Sequence, residues 1–181
     1  MKIADELFEK AKLLILSIIE DYEIEYPLDI YDLAKRMGFE LVPYSAFEEH
    51  RSLLMKQSED GFNKYHEDRK IWSIYYNEKV ELKERIKFTI AHEIGHILLQ
   101  TELEELANFF AGYLLAPVPL IIEYKYYTEE QIMGYFKVGY KCAHSCLNRT
   151  LSRILHNEPN TEYENTIIHS QKKAYCGNNK Q

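Results

Sequence analysis

Hydrophobic residues along this chain follow two periods, and each period predicts a kind of element. Leu7, Ala11, Leu14, Ile15, Ile18 and Ile19 recur three and four apart, which predicts a first helix from about Ile3 to Tyr22. Pro27 ends that pattern and holds the residue before it extended. Leu28-Asp29 leads into a short second helix, Ile30 to Met37, with Gly38 where helices commonly stop. Phe39 to Val42 alternates and reads as a strand closed by Pro43. Leu53-Leu54-Met55 reads as another strand, and Asp60, Gly61 and Asn63 as turn chemistry. Ile71 to Tyr76 is rich in strand formers and ends at Asn77. The connections look too short for crossover helices, so a small antiparallel sheet is expected.

Beyond the sheet the period is helical again. One helix is expected over Val80 to Gln100 and a second over Glu102 to Leu115, stopped by Pro117 and Pro119. From Thr128 on, Ile132, Tyr135 and Phe136, then Cys142, Ala143, Cys146, Leu147, Leu151, Ile154 and Leu155, predict two short helices. Gly134 and Gly139 mark the break. From about Glu158 the chain is polar, and a frayed tail is expected.

The third helix changes the picture from architecture to chemistry. It contains His92-Glu93-Ile94-Gly95-His96, the HExxH spacing. Residues four apart share a helix face, so two imidazoles can converge on one ion, and Glu93 lies within reach of a water on that ion as a general base. Around the wheel, Phe88, Ile90, Ala91, Ile94, Gly95, Ile97, Leu98 and Leu99 cover most of the circumference. Thr89, His92, Glu93, His96 and Gln100 share one narrow arc. A helix this apolar is buried, and a buried strip of two His and a Glu needs compensation, which a zinc ion supplies. The alternative is a chance match on an exposed helix, and the apolar flanks argue against it.

A catalytic zinc takes three protein ligands and keeps one open position. On the next helix the wheel puts Glu104 and Asn108 at one border of the apolar stripe and turns Glu105 to solvent. Glu104 is therefore the candidate third ligand, against the reading of a solvated acid at a helix start. Asn108, one turn on, is placed to hydrogen-bond a ligand histidine. Cys142-x-His144-x-Cys146 could form half of a second site, but no other pair lies near it except the distant Cys176, and cysteines packed on an apolar face are the simpler reading.

Composition narrows the class. At 181 residues and 46% hydrophobic content the chain fits one domain with a small appendage. It has no run of 18 apolar residues to span a membrane. Three cysteines make no disulfide framework and fit the reducing cytoplasm. A net charge of −7 argues against nucleic acid as the partner of the whole chain. The stretch from Gln131 to Gln181 carries seven Lys/Arg against three Asp/Glu, so that basic part could touch nucleic acid weakly or an acidic partner, against the simpler reading of a mildly basic, solvated C-terminus.

These residues carry a resemblance. Arg85-x-x-Phe88-Thr89-x-Ala91-His92-Glu93-x-Gly95-His96-x-Leu98, then Glu104-x-x-Ala107-Asn108-x-Phe110-Ala111-x-x-Leu114-Leu115-x-Pro117, resembles the ImmA/IrrE family of zinc metallopeptidases. The resemblance extends to Pro27-Leu28-Asp29-Ile30, to the strand ending in Asn77, and more weakly to Tyr135-Phe136-Lys137-Val138. Leu106 and Ala116 depart from the family's usual residues without touching the chemistry.

The resemblance implies an α+β, mostly helical, zincin-like fold of gluzincin type, with a small antiparallel sheet and a helix-turn-helix-like element near the C-terminus. The expected organisation is a metallopeptidase core over 1–120, a helical appendage over 121–157 and a polar tail over 158–181. It implies that His92, His96 and Glu104 bind zinc, that Glu93 is the general base, and that Asn108 orients a ligand. Family members of mobile elements and phages cleave a helix-turn-helix repressor, and the short chain favours this anti-repressor type. The rival expectations are a non-proteolytic regulator with a structural zinc that binds a repressor or DNA, and a zinc hydrolase acting on something other than peptides.

Overall fold

The computed structural model describes the backbone of residues 3–178, with side chains over 6–172. It has nine helices and three strands among those residues, in two compact units. One unit is residues 29–111; the other combines residues 1–28 with 112–181. The first helix of the chain folds with the late helices in that second unit.

In the unit of residues 29–111, α2 (Ile30–Arg36) starts where Asp29 accepts hydrogen bonds from the Tyr31 and Asp32 amides at 3.0 and 3.2 Å. It stops just before Gly38, whose φ of +82° is open to glycine at little cost. The strands are β1 (Glu40–Pro43), β2 (Gly61–His66) and β3 (Ile71–Tyr76), in the order β1-β3-β2. β2 and β3 pair antiparallel, but β1 and β3 pair parallel. The sheet is therefore mixed, not antiparallel. The connection from β1 to β3 is long enough for a crossover because it contains a 3-10 segment, Tyr44–His50, and helix α3, Arg51–Gln57.

Two elements here differ from expectation. The stretch read as a strand at Leu53-Leu54-Met55 is α3, because Leu, Met, Lys and Gln are strong helix formers and none is β-branched. The stretch read as a turn is β2. Phe62 stacks on Tyr75 across the ladder at a ring distance of 4.9 Å, which rewards the strand despite its Gly and Asn. Gly61 is required there. A Cβ would stand 2.6 Å from Thr89 Cγ2 and 2.7 Å from the Tyr75 carbonyl oxygen. Helix α4 (Lys83–Leu99) packs against β2, β3 and α2, with Ile90, Ala91 and Ile94 fully buried. Helix α5 (Glu104–Leu115) follows, and its residues up to Ala111 belong to this unit.

The other unit holds α1 (Ile3–Asp21), the end of α5, and α6 (Val118–Glu123), α7 (Glu129–Phe136), α8 (Tyr140–Leu155) and α9 (Glu162–Asn178). Pro117 and Pro119 do not merely stop a helix. Pro119 lies in the first turn of α6, where its missing N–H is not needed. Thr128 and Gln131 cap α7 reciprocally, and Lys137, Val138 and Gly139 link it to α8. The stripe of α8 is buried at Cys142, Ala143, Cys146 and Leu147, then leaves the core: Leu151, Ile154 and Leu155 are exposed.

The polar end is α9, not an irregular tail. Its Ile167 and Ile168 are buried, as are Glu164 and Gln171. Glu164 accepts from Arg153 through two 2.7 Å bonds, from the Tyr113 hydroxyl at 2.7 Å and from the Thr161 amide at 2.9 Å. Gln171 accepts from the Tyr26 amide and donates to the Ile24 carbonyl at 2.7 Å. Buried polar groups satisfied in this way hold a helix whose sequence looks like tail. Among the described residues no helix is long and apolar enough to cross a membrane.

Candidate metal centre

Helical pitch sets the first half of the site. His92 and His96 lie one turn apart on α4, and their Nε2 atoms are 2.9 Å apart. Glu104, in the first turn of α5, brings Oε2 to 3.3 Å from His92 Nε2 and Oε1 to 3.4 Å from His96 Nε2. The ligand atoms of these three residues all lie within 4.8 Å of one another, a group that could hold a metal ion. The imidazoles are nearly buried and the Glu104 side chain is 75% exposed, so the centre opens to water on that side.

The close approach of the two helices depends on Gly95. A Cβ there would stand 3.0 Å from Phe110 Cδ1, so any side chain would push the Phe110 ring, and α5 with it, away from α4. Gln100 ends α4 in the left-handed conformation, φ 49°, and turns the chain back over its last turn. This brings the Thr101 carbonyl oxygen to 2.6 Å from His96 Nδ1. On the other side Asn108 Oδ1 lies 3.0 Å from His92 Nδ1.

Those two contacts decide the tautomers. A carbonyl oxygen only accepts, so each Nδ1 carries the proton and donates it. Each Nε2 of the neutral rings then carries a lone pair. Two lone pairs and a carboxylate face one point, an arrangement that repels itself unless a cation sits there. Burial holds the His92 imidazole below its ordinary pKa, which keeps the ring in the neutral form that binds metals. The residues present therefore fit a metal.

Glu93 points from the same helix and is 7% exposed. Asn63, on β2, donates from Nδ2 to Glu93 Oε2 at 2.6 Å. The sequence singled out His92, Glu93, His96, Glu104 and Asn108, and the fold brings all five into one neighbourhood. It missed two partners. Thr101 acts through its main chain, which no side-chain pattern reveals. Asn63 read as turn chemistry, and only the pairing of β2 with β3 turns it toward α4.

Cys142 and Cys146 are buried free thiols, and the Cys146 thiol donates to the Gly112 carbonyl at 3.6 Å, as packing cysteines do. The side chain of Cys176 lies outside the described residues.

An HExxH helix with a carboxylate from the next helix, beside a small sheet, is the donor set of a metallopeptidase-type centre. The comparison with family models agrees. The IrrE N-terminal-like domain, Peptidase M78, matches residues 47–148, more than half of the chain. The chain belongs to this ImmA/IrrE family, which points to a metallopeptidase-type role. Among curated proteins none matches it.

Proposed function

We propose that the protein is a zinc-dependent endopeptidase that makes a specific cut in a helix-turn-helix repressor and so releases the repressor's genes. The observation that carries the reading is the convergence of His92 Nε2, His96 Nε2 and the Glu104 carboxylate, each imidazole oriented by a hydrogen bond at its other nitrogen. Family membership supports the peptidase class, and the resemblance of the residues supports the partner. Free thiols fit a reducing cytoplasm as its place of action.

His92, His96 and Glu104 would hold the zinc, leaving the solvent side for water and substrate. Bound there, zinc would supply Lewis acidity toward a water and a peptide carbonyl. Glu93 does the proton work. Its free carboxylate oxygen accepts a proton from the attacking water and passes it to the leaving amine as the C–N bond breaks. Asn108 and the Thr101 carbonyl keep the protons on Nδ1, so that Nε2 of both rings stays available.

The test is to mix the protein with the repressor encoded beside its gene. The expected outcome is one defined cut, abolished by chelator and restored by zinc. Glu93→Gln should retain zinc and cut nothing. Cleavage by Glu93→Gln at the wild-type rate would remove Glu93 from the mechanism. Repressor binding without any cut would favour a regulator with a structural zinc.

A further inference from the structure

We infer that Asn63 is a positioning residue for Glu93, holding one oxygen of the base so that the other alone handles the proton. This rests on the peptidase reading above and adds to it a residue that lies outside every motif. A carboxylate is acceptor-only, so the amide group facing it must be Nδ2, and the contact is a donated bond at 2.6 Å to Oε2. A short charge-assisted bond of this kind fixes the rotamer of a carboxylate that would otherwise swing.

The donor is itself held by the sheet. Asn63 pairs with Ile74, which is fully buried. The Asn77 amide donates to the Asp60 carbonyl at 2.8 Å, which sets the phase of the ladder. Phe62 and Lys64 are then the residues bonded to β3, and the main-chain groups of Asn63 point to the open edge of β2. Changing the side chain therefore leaves the ladder intact. It also leaves that edge, whatever binds there, unchanged. The inference thus predicts a loss in kcat without a loss in KM. Asn63 is on a strand and Glu93 on a helix, so the bond aligns the base against the sheet and not only within its own helix.

The experiment uses the full chain and the fastest-cut peptide of a quenched-fluorescent decapeptide library. Asn63→Ala should lower kcat by about ten- to a hundredfold, with KM and zinc affinity within about twofold of wild type. Asn63→Asp has the same shape but sets a carboxylate against a carboxylate, and should lose more. Asn63→Gln keeps the donor on a longer arm and should recover part of the loss.

A second readout needs neither metal nor substrate. In the metal-free wild type the Asn63 side-chain amide protons should exchange slowly with water, and in Glu93→Ala they should exchange like an exposed amide. Wild-type kcat in Asn63→Ala, or a change in KM alone, overturns the inference. So does fast amide exchange in the wild type, even if Asn63→Ala fails to fold. If Glu93→Gln is inactive while Asn63→Ala is fully active, only this inference falls. If Glu93→Gln cuts normally, the peptidase mechanism falls and this inference with it.

Discussion

At the scale of single residues, the centre is two imidazoles whose protons are committed elsewhere. The Thr101 carbonyl and Asn108 Oδ1 take the Nδ1 protons, and this leaves two lone pairs facing each other at 2.9 Å. Removing one of these partners frees a ring to flip or change tautomer. Asn108→Ala should therefore weaken zinc binding by about ten- to a hundredfold, read by competition with a chromophoric chelator. Gly95 acts through space and not through bonds. Gly95→Ala forces Phe110 to give way, since the added Cβ meets its ring at 3.0–3.2 Å. The expected cost is about 1–3 kcal/mol of stability, measured by urea unfolding, together with weaker zinc binding as Glu104 retreats. His92, Glu93 and His96 were legible because helical pitch is local and sequence spacing alone fixes it. Asn63 was not legible, because its meaning depends on a strand pairing thirty residues away from Glu93.

At the scale of elements, the α8–α9 corner rests on one buried carboxylate. Burial alone would raise the Glu164 pKa, but the Arg153 guanidinium, the Thr161 amide and the Tyr113 hydroxyl outweigh it and lower it from 4.5 to about 2. A carboxyl whose folded pKa is depressed adds stability above its unfolded value, and that stability is lost as pH falls through the folded one. The corner should therefore hold near neutrality and loosen from about pH 4.5 down to about pH 2, seen as falling thermal stability in acid. Glu164→Gln should remove that acid sensitivity. It should also cost about 1.5–3 kcal/mol at neutral pH, because the half-buried Arg153 loses the carboxylate that answers its charge. The polar sequence of α9 concealed this. Its stabilising groups are a Glu and a Gln that look solvated until Arg153, Tyr113 and the Tyr26 loop are set beside them.

At the scale of the whole molecule, metal and stability are linked. A cation that binds the folded centre and not the unfolded chain stabilises by mass action, about 4 kcal/mol at a thousandfold excess over Kd. Adding zinc to metal-free protein should raise Tm, and chelator should reverse it. His96→Ala should abolish that response, because it removes one of the three donors. Calorimetry with and without zinc checks both.

The sequence by itself determined the features that a few consecutive turns of chain control. These are the α4 register that sets His92 against His96, the face of α5 that carries Glu104 and Asn108, and β3. They follow from helix pitch and strand alternation, which need no distant partner. Tertiary structure alone decided the parallel pairing of β1, the strand state of Gly61–His66, the helix at Glu162–Asn178, and the partners that orient Glu93 and His96. Each of these depends on what lies across a gap: a stacked ring, a half-buried guanidinium, a carbonyl turned back by one left-handed residue. Local periodicity has no term for such neighbours, and their energies outweigh the intrinsic preference of the short segments they hold.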